Sequence, residues 1–174
     1  MDFLQGIDDI RAARCNISDP ARFLKDLRAV ATAYDTHVIC FNADRIAGRI
    51  HAGVAIARAV RAFEEDRAVS NTLEMESLLF AAGSRQCNVA LRFGIHAGEN
   101  HLYVCCYPGR EGIWTALDPL FTWVNESWDD IDSHKRDRLM QTFAITPEEI
   151  AAAGGEGRLV DLVLERVALL QINR

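Results

Sequence analysis

Arg85 and Gln86 are the residues of this chain best suited to binding chemistry. They follow Ser84 and open a segment, residues 84–94, whose apolar residues recur at helical spacing. The first turn of a helix carries unpaired backbone N–H groups and the positive end of the helix dipole, so it attracts anions. Arginine is usually disfavoured there, and its presence is consistent with a bound phosphate. The alternative is that both side chains belong to a solvated turn.

A helix over residues 72–82 is predicted immediately before this segment. Asn71 is a suitable N-cap and Glu74 follows three residues later, which approaches the capping-box pattern. Gly83 then supplies the left-handed residue that commonly ends a helix. Asn71 begins one helix and Arg85 the next, so the sequence does not fix the distance between them.

No pattern in the chain is typical of a catalytic site. The sequence contains no phosphate-binding glycine loop, dinucleotide fingerprint, nucleophile elbow or kinase catalytic loop. Glu74 and Glu76 are two residues apart, which on a helix directs them to different faces. A thiol enzyme using Cys87 or Cys105 with a histidine is the remaining catalytic alternative, although no neighbouring cation favours a thiolate at Cys105. We therefore expect no enzymatic activity.

Composition indicates a soluble globular protein. Of its 174 residues, 49% are hydrophobic and 25% are charged. The five cysteines lack C-x-x-C spacing and the histidines lack metal-ligand spacing, so we expect buried thiols and neither metal nor cofactor in a cytoplasmic protein. The net charge of −6 argues against gripping long nucleic acid, although the four arginines between residues 45 and 61 leave a local basic patch open.

The elements that position these residues predict an α/β fold. Two segments rich in β-formers, residues 36–41 and 101–106, are predicted strands, and the second is apolar on both faces. A first strand is expected within residues 3–13. Apolar spacing and capping signals predict further helices over residues 20–34, 42–66, 133–143, 146–154 and 157–170. Residues 167–172 could instead form a strand. We expect a single compact domain with a small mixed β-sheet flanked by several helices.

The central run also resembles a known family. A Met-Glu-containing helix, then Ala-Ala-Gly-Ser-Arg-Gln, then Ala-Leu-Arg-Phe-Gly-Ile, resembles the small regulatory subunit of the KEOPS (EKC) complex, a kinase-binding protein family related to TPRKB, in its archaeal form. KEOPS makes threonylcarbamoyl-adenosine in tRNA. The resemblance implies that residues 1–174 form one kinase-binding and tRNA-recruiting domain. Such a non-catalytic subunit would bind and activate the small atypical kinase subunit and hold the 3′ CCA end of tRNA.

The resemblance also suggests which residues form the sites. The expected RNA-binding residues are Arg85, Gln86, Asn71 and Arg92. The expected partner-binding residues are Leu162, Leu169 and Leu170, because the last predicted helix is more apolar than one buried face requires. We expect a monomer outside the complex and no membrane partner.

Two alternatives remain open beside this function. One is the thiol-dependent enzyme, and the other is a protein-interaction domain that does not bind RNA. The three tryptophans, Trp114, Trp123 and Trp128, are expected to pack in the core or at its rim, and base stacking is the alternative for them.

Overall fold

The computed structural model describes residues 9–172, and a four-stranded sheet lies at the centre of that part of the chain. The strands are β1 (Ile10–Ile17), β2 (His37–Asn42), β3 (Gly98–Tyr107) and β4 (Thr122–Trp123). They lie in the order β2-β3-β1-β4, and each pairing is antiparallel. The α/β class and single compact domain are confirmed, but the sheet is antiparallel rather than mixed.

Eight α-helices surround this sheet in the described part of the chain. They are α1 (Pro20–Ala33), α2 (Arg49–Glu64), α3 (Leu73–Ala82), α4 (Cys87–Ala90), α5 (Ile113–Leu117), α6 (Ser133–Thr142), α7 (Pro147–Ala153) and α8 (Leu159–Ile172). Short 3₁₀ helices follow α4 at Leu91–Phe93 and precede α8 at Glu156–Arg158.

Strand β3 is covered on both faces, as predicted from the apolar residues on each of them. Leu102 and Val104 face a smaller core that contains residues of α1 and α5. Tyr103 and Cys105 face the larger core, to which α2, α3 and α8 contribute. Successive side chains on a strand point to opposite faces, so a strand without polar alternation must lie between two helical layers.

Several boundaries differ from those that the sequence predicts. Strand β1 covers residues 10–17, whereas residues 3–8 of the expected first strand lie outside the described part of the chain. Helix α2 begins only at Arg49, because residues 43–48 form turns. Thr72 rather than Asn71 caps α3, since its side-chain oxygen accepts the N–H of Met75 at 3.2 Å. Residues 167–172 are helical, not a strand.

Helices α2 and α3 pack against each other through small residues and one buried histidine. Ala52, Ala55 and Ala59 of α2 are fully buried, and alanine at such positions allows two helix backbones to approach closely. His51 Nδ1 accepts the N–H of Ala47 at 2.9 Å, so the protonated Nε2 donates to the Ala81 carbonyl of α3, also at 2.9 Å. This imidazole therefore links the start of α2 to the end of α3.

Candidate functional site

The turn between α3 and α4 places Arg85 and Gln86 outside the second helix, not within its first turn as expected. Gly83 ends α3 in the left-handed conformation, with φ of 60° and ψ of 34°, as predicted. Arg85 and Gln86 then precede α4 instead of lying in its first turn, and α4 has only four residues. Helices this short have a small dipole and few aligned N–H groups. The expected anion site at a full helix N-terminus is therefore wrong in its geometry.

The predicted RNA-binding residues do not form one cluster. Arg85, Gln86 and Arg92 are exposed at or near the α3–α4 turn. Asn71 lies before the opposite end of α3, and a ten-residue helix is about 15 Å long. Within residues 9–172 neither Arg85 nor Arg92 forms an ion pair with a carboxylate. The two arginines are thus available to a phosphate, whereas Asn71 belongs to a different surface.

The predicted partner-binding leucines divide into two groups. Leu162 and Leu170 are buried in the larger core, but Leu169 is 41% exposed. A small pocket of about 290 Å³ lies beside Leu169 and is bordered by Gly83 at the end of α3. Because Gly83 is two residues from Arg85, Leu169 and Arg85 lie on neighbouring parts of one surface.

Arg166 fixes this surface by connecting α8 to the elements before it. Its guanidinium donates to the carbonyls of Phe143 and Ala144 at 3.2 and 3.3 Å, and it pairs with Glu149 at 2.7 Å. The Arg166 guanidinium hydrogen bond lowers the pKa of the Glu149 carboxyl. The pocket beside Leu169 therefore has a rigid polar wall and an exposed apolar edge.

A larger groove, which the sequence does not indicate, lies at the edge of the sheet. It has a volume of about 750 Å³, within the range of small-molecule and peptide sites. Its floor includes part of β2, and its walls come from α1 on one side and from α2 and α3 on the other. Asn71 lies on its rim. Sequence reasoning missed this groove because it depends on which strand lies at the edge.

The cysteines have properties unlike those of a reactive thiolate. Burial raises the pKa of the Cys105 and Cys106 thiols to about 12 and raises that of Cys40 further. Cys87 and Leu91 are exposed, so the apolar residues that recur at helical spacing in residues 84–94 do not form one buried face. Thiols that stay protonated near neutral pH are poor nucleophiles, so the structure gives no support to a thiol enzyme at Cys105.

The tryptophans pack on side chains of the same chain. Trp128 stacks on His101 with ring centroids 4.6 Å apart. Trp114 and Trp123 form an edge-to-face pair at 5.3 Å, and Trp123 donates its ring N–H to Asp118 at 2.7 Å. These contacts agree with the expected packing role at the rim of the core.

Between residues 9 and 172, no group of three or more His, Cys, Asp or Glu side chains is arranged to hold a metal ion. None of the described helices combines the length and the apolar character that crossing a bilayer requires.

The comparisons with known proteins identify the family. A search of curated proteins found no match. The family model described as kinase binding protein CGI-121 matches residues 15–171, a span that includes the α3–α4 turn, the groove and α8 as far as Gln171. The chain therefore belongs to the CGI-121 family of kinase-binding proteins.

Proposed function

We propose that this protein is the non-catalytic regulatory subunit of a KEOPS complex, and that it binds and activates the small atypical kinase subunit through the surface around Leu169. Membership of a kinase-binding family supports a kinase partner. One observation carries the choice of surface. Leu169 is 41% exposed on α8, while Leu162 and Leu170 on the same helix are buried.

The exposed leucine is suited to a protein interface rather than to the core. A single exposed leucine is unremarkable, but Leu169 adjoins a pocket that Phe143 and Ala144 also border. An exposed apolar side chain at the edge of a pocket loses its contact with water when a partner covers it, which favours association. The backbone around this pocket is held by Arg166, so a partner would meet a surface that needs little ordering.

Replacing Leu169 with glutamate is expected to weaken kinase binding by at least about tenfold, because a desolvated carboxylate would replace an apolar contact. The thermal midpoint should change little, since the side chain is already exposed in the free protein. Binding is measured by calorimetry with the purified kinase subunit, and stability by circular dichroism.

Two controls make the result specific. Leu170→Glu should lower the midpoint sharply, since Leu170 is buried. Tyr34→Glu changes a similarly exposed residue at the end of α1 and should preserve kinase affinity. Unchanged affinity in Leu169→Glu would assign the kinase interface to another surface.

We further propose that the α3–α4 turn recruits tRNA by its 3′ CCA end. The support is that Arg85 and Arg92 are exposed and unpaired within the described chain, and that a pocket with both polar and apolar lining lies beside Gly83. A few stacked bases and one or two phosphates require only such a pocket and a pair of cations, so a net charge of −6 is no obstacle. Gln86 would contact the same nucleotides, and Asn71 a more distant one.

Arg85→Glu is expected to weaken tRNA binding by about one to two decades, equivalent to roughly 1.5–3 kcal/mol for one charge-assisted contact. Affinities are measured for intact tRNA and for tRNA without its CCA end. Arg22→Glu on α1 is the matched control, because it makes the same charge change at an exposed arginine on the other layer.

The truncated RNA separates a specific site from general charge attraction. The wild-type protein should bind intact tRNA more tightly, and Arg85→Glu should abolish that preference, whereas Arg22→Glu should preserve it. Equal binding of both RNAs by the wild-type protein would leave the kinase-binding proposal standing without tRNA.

A further inference from the structure

The groove beside β2 exposes part of a strand that has a single partner strand within residues 9–172. β2 lies at the end of the sheet order and pairs on one side, with β3. Ala43 donates its N–H to the His101 carbonyl at 2.8 Å, just beyond the end of β2. Hydrogen-bonded pairs alternate along an antiparallel ladder, so Phe41 and Ile39 also direct their backbone groups to β3. Val38 and Cys40 therefore direct theirs to the free edge.

These outward-facing backbone groups are unpaired although the residues that carry them are buried. Val38 is 4% exposed and Cys40 is 8% exposed, and both line the groove. No residue from 9 to 172 donates a hydrogen bond to the Val38 carbonyl or accepts one from the Val38 or Cys40 N–H group. Unpaired backbone groups in a mainly apolar setting favour a ligand that supplies backbone donors and acceptors of its own.

The walls of the groove define the kind of chain that can enter. Leu24 and Leu27 of α1 stand on one side, and Phe63 and Leu78 of α2 and α3 stand on the other. A strand paired with β2 would direct its alternate side chains towards these two walls, so both sets of side chains should be apolar. A second copy of this chain is a poor occupant, because its own β2 lies between the same two helical walls.

Charges on the rim add a further requirement. Glu64 and Glu74 lie on the α2–α3 side, and Arg28 lies on the α1 side. Glu74 is paired with His37 at 2.8 Å, whereas Glu64 makes no ion pair within the described residues. An apolar segment that carries a basic residue on the α2–α3 side would complement the unpaired Glu64 carboxylate.

We propose that this groove binds an extended, apolar segment of a partner protein that carries a basic residue, and that the segment pairs with β2 as a fifth strand of the sheet. Backbone hydrogen bonds with Val38 and Cys40 provide the pairing, and the two apolar walls select the side chains. This site is separate from the surface around Leu169, and it stands whether or not that surface binds a kinase.

The test uses the full chain and a synthetic probe, the acetylated and amidated hexapeptide Lys-Val-Ile-Val-Ile-Lys. Binding should slow hydrogen exchange at the Val38 and Cys40 amides by about tenfold or more, as measured by NMR. The Ile39 and Phe41 amides, already bonded within the sheet, should be little affected. This alternation places the ligand against the outer edge of β2, where only every second amide faces the groove.

Two N-methylated versions of the probe test the backbone pairing directly. One carries methyl groups on the first, third and fifth amides, and the other on the second, fourth and sixth. Only one set faces β2, so one version should lose about tenfold or more in affinity and the other should bind as the parent does. Equal affinity for both versions would overturn the proposal.

Protein variants then locate the probe. Phe63→Glu should weaken binding by about tenfold, since Phe63 lies on the groove wall, whereas Ile50→Glu changes a comparably exposed residue of α2 outside the groove and should have no effect. Glu64→Lys should reduce affinity for the basic probe.

If the Val38 and Cys40 amides respond to the oligonucleotide ACCA and not to the peptide, the groove is a nucleic-acid site. If they are protected by self-association, its occupant is a second copy. Either result rejects the proposal.

Discussion

Replacing Glu76 with alanine is expected to lower the free energy of unfolding by roughly 3 kcal/mol, a large part of the stability of a domain of this size. Glu76 is fully buried on α3, and its carboxylate accepts the N–H groups of Val69 and Ser70 at 3.3 and 3.0 Å and the Ser70 hydroxyl at 2.6 Å. Alanine would leave the Val69 and Ser70 N–H groups of the loop before α3 without this acceptor, whereas the Ser70 hydroxyl also lies 3.1 Å from the Thr72 carbonyl. Hydrogen bonds to a charged group are stronger than neutral ones, so their joint loss is costly.

Glu74→Ala is the matched control for this prediction. Glu74 lies on the same helix two residues earlier, but its side chain is 38% exposed and its pair with His37 is a surface pair. Such pairs contribute less than about 1 kcal/mol. Urea unfolding at pH 7 measures both variants, and equal losses would show that the buried carboxylate has no special role. Glu76→Gln should give an intermediate loss, because it keeps one oxygen acceptor.

Glu76 also connects stability to the groove. The loop that it binds leads directly into Asn71 and Thr72, which line the groove, and Thr72 caps α3. In Glu76→Ala we therefore expect faster hydrogen exchange in residues 69–72 than in the centre of α3. The sequence places Glu76 beside Glu74 with nothing to mark one as buried, and only the packing of the preceding loop distinguishes them.

The parts of the fold that follow from local pattern were predictable from the sequence. Strand β3 is dense in β-formers and apolar on both faces, and it is buried on both. Gly83 ends α3 as predicted, and the helix expected over residues 146–154 is α7, which Thr146 caps by accepting the Glu149 N–H at 3.1 Å. These features depend on residues within one or two helical turns, so a short window of sequence contains their cause.

The parts that depend on contacts between distant segments were not predictable. The order β2-β3-β1-β4 makes β2 an edge strand, and no residue within β2 shows this. Hydropathy likewise does not show that Ile50 of α2 is half exposed while the adjacent, polar His51 is buried. A histidine can replace an apolar residue there only because Ala47 and Ala81 supply its hydrogen-bond partners, and Ala81 belongs to another helix.

The candidate site also combines features that local sequence determines with features that depend on distant contacts. The sequence correctly places a turn at Gly83 with Arg85 and Gln86 after it, but it cannot show that α4 has only four residues. The helix ends early because Leu91–Phe93 tighten into a 3₁₀ turn that directs Phe93 into the core. The exposure of Leu169 beside the buried Leu170 likewise depends on how α8 packs against α2 and α3, which its own composition does not determine.

His51 is expected to make the protein lose stability as pH falls from about 6.5 to about 4. Burial, together with the nearby positive charge of Lys135, lowers the pKa of His51 to about 4, although its hydrogen bond to the Ala81 carbonyl acts in the opposite direction. Above pH 6.5 the imidazole is neutral in the folded and unfolded states, and its contribution is fully present. Below that pH only the unfolded chain gains the proton, which stabilises the unfolded state by up to roughly 3 kcal/mol.

The measurement compares the wild-type protein with His51→Gln, whose amide cannot titrate but can occupy a similar position between Ala47 and Ala81. Urea unfolding is followed at several values from pH 7 to pH 4, with the exposed His134→Gln on α6 as the substitution control. At pH 7 the glutamine variant should be the less stable protein. Its deficit should shrink as pH falls, because the wild-type protein alone loses the His51 contribution. Parallel stability curves would show that protonation of His51 is not linked to unfolding. A stability difference that narrows as pH falls would identify the His51 link between α2 and α3 as acid-sensitive. The reason is that Nδ1 accepts the Ala47 N–H group, and a protonated Nδ1 could no longer do so.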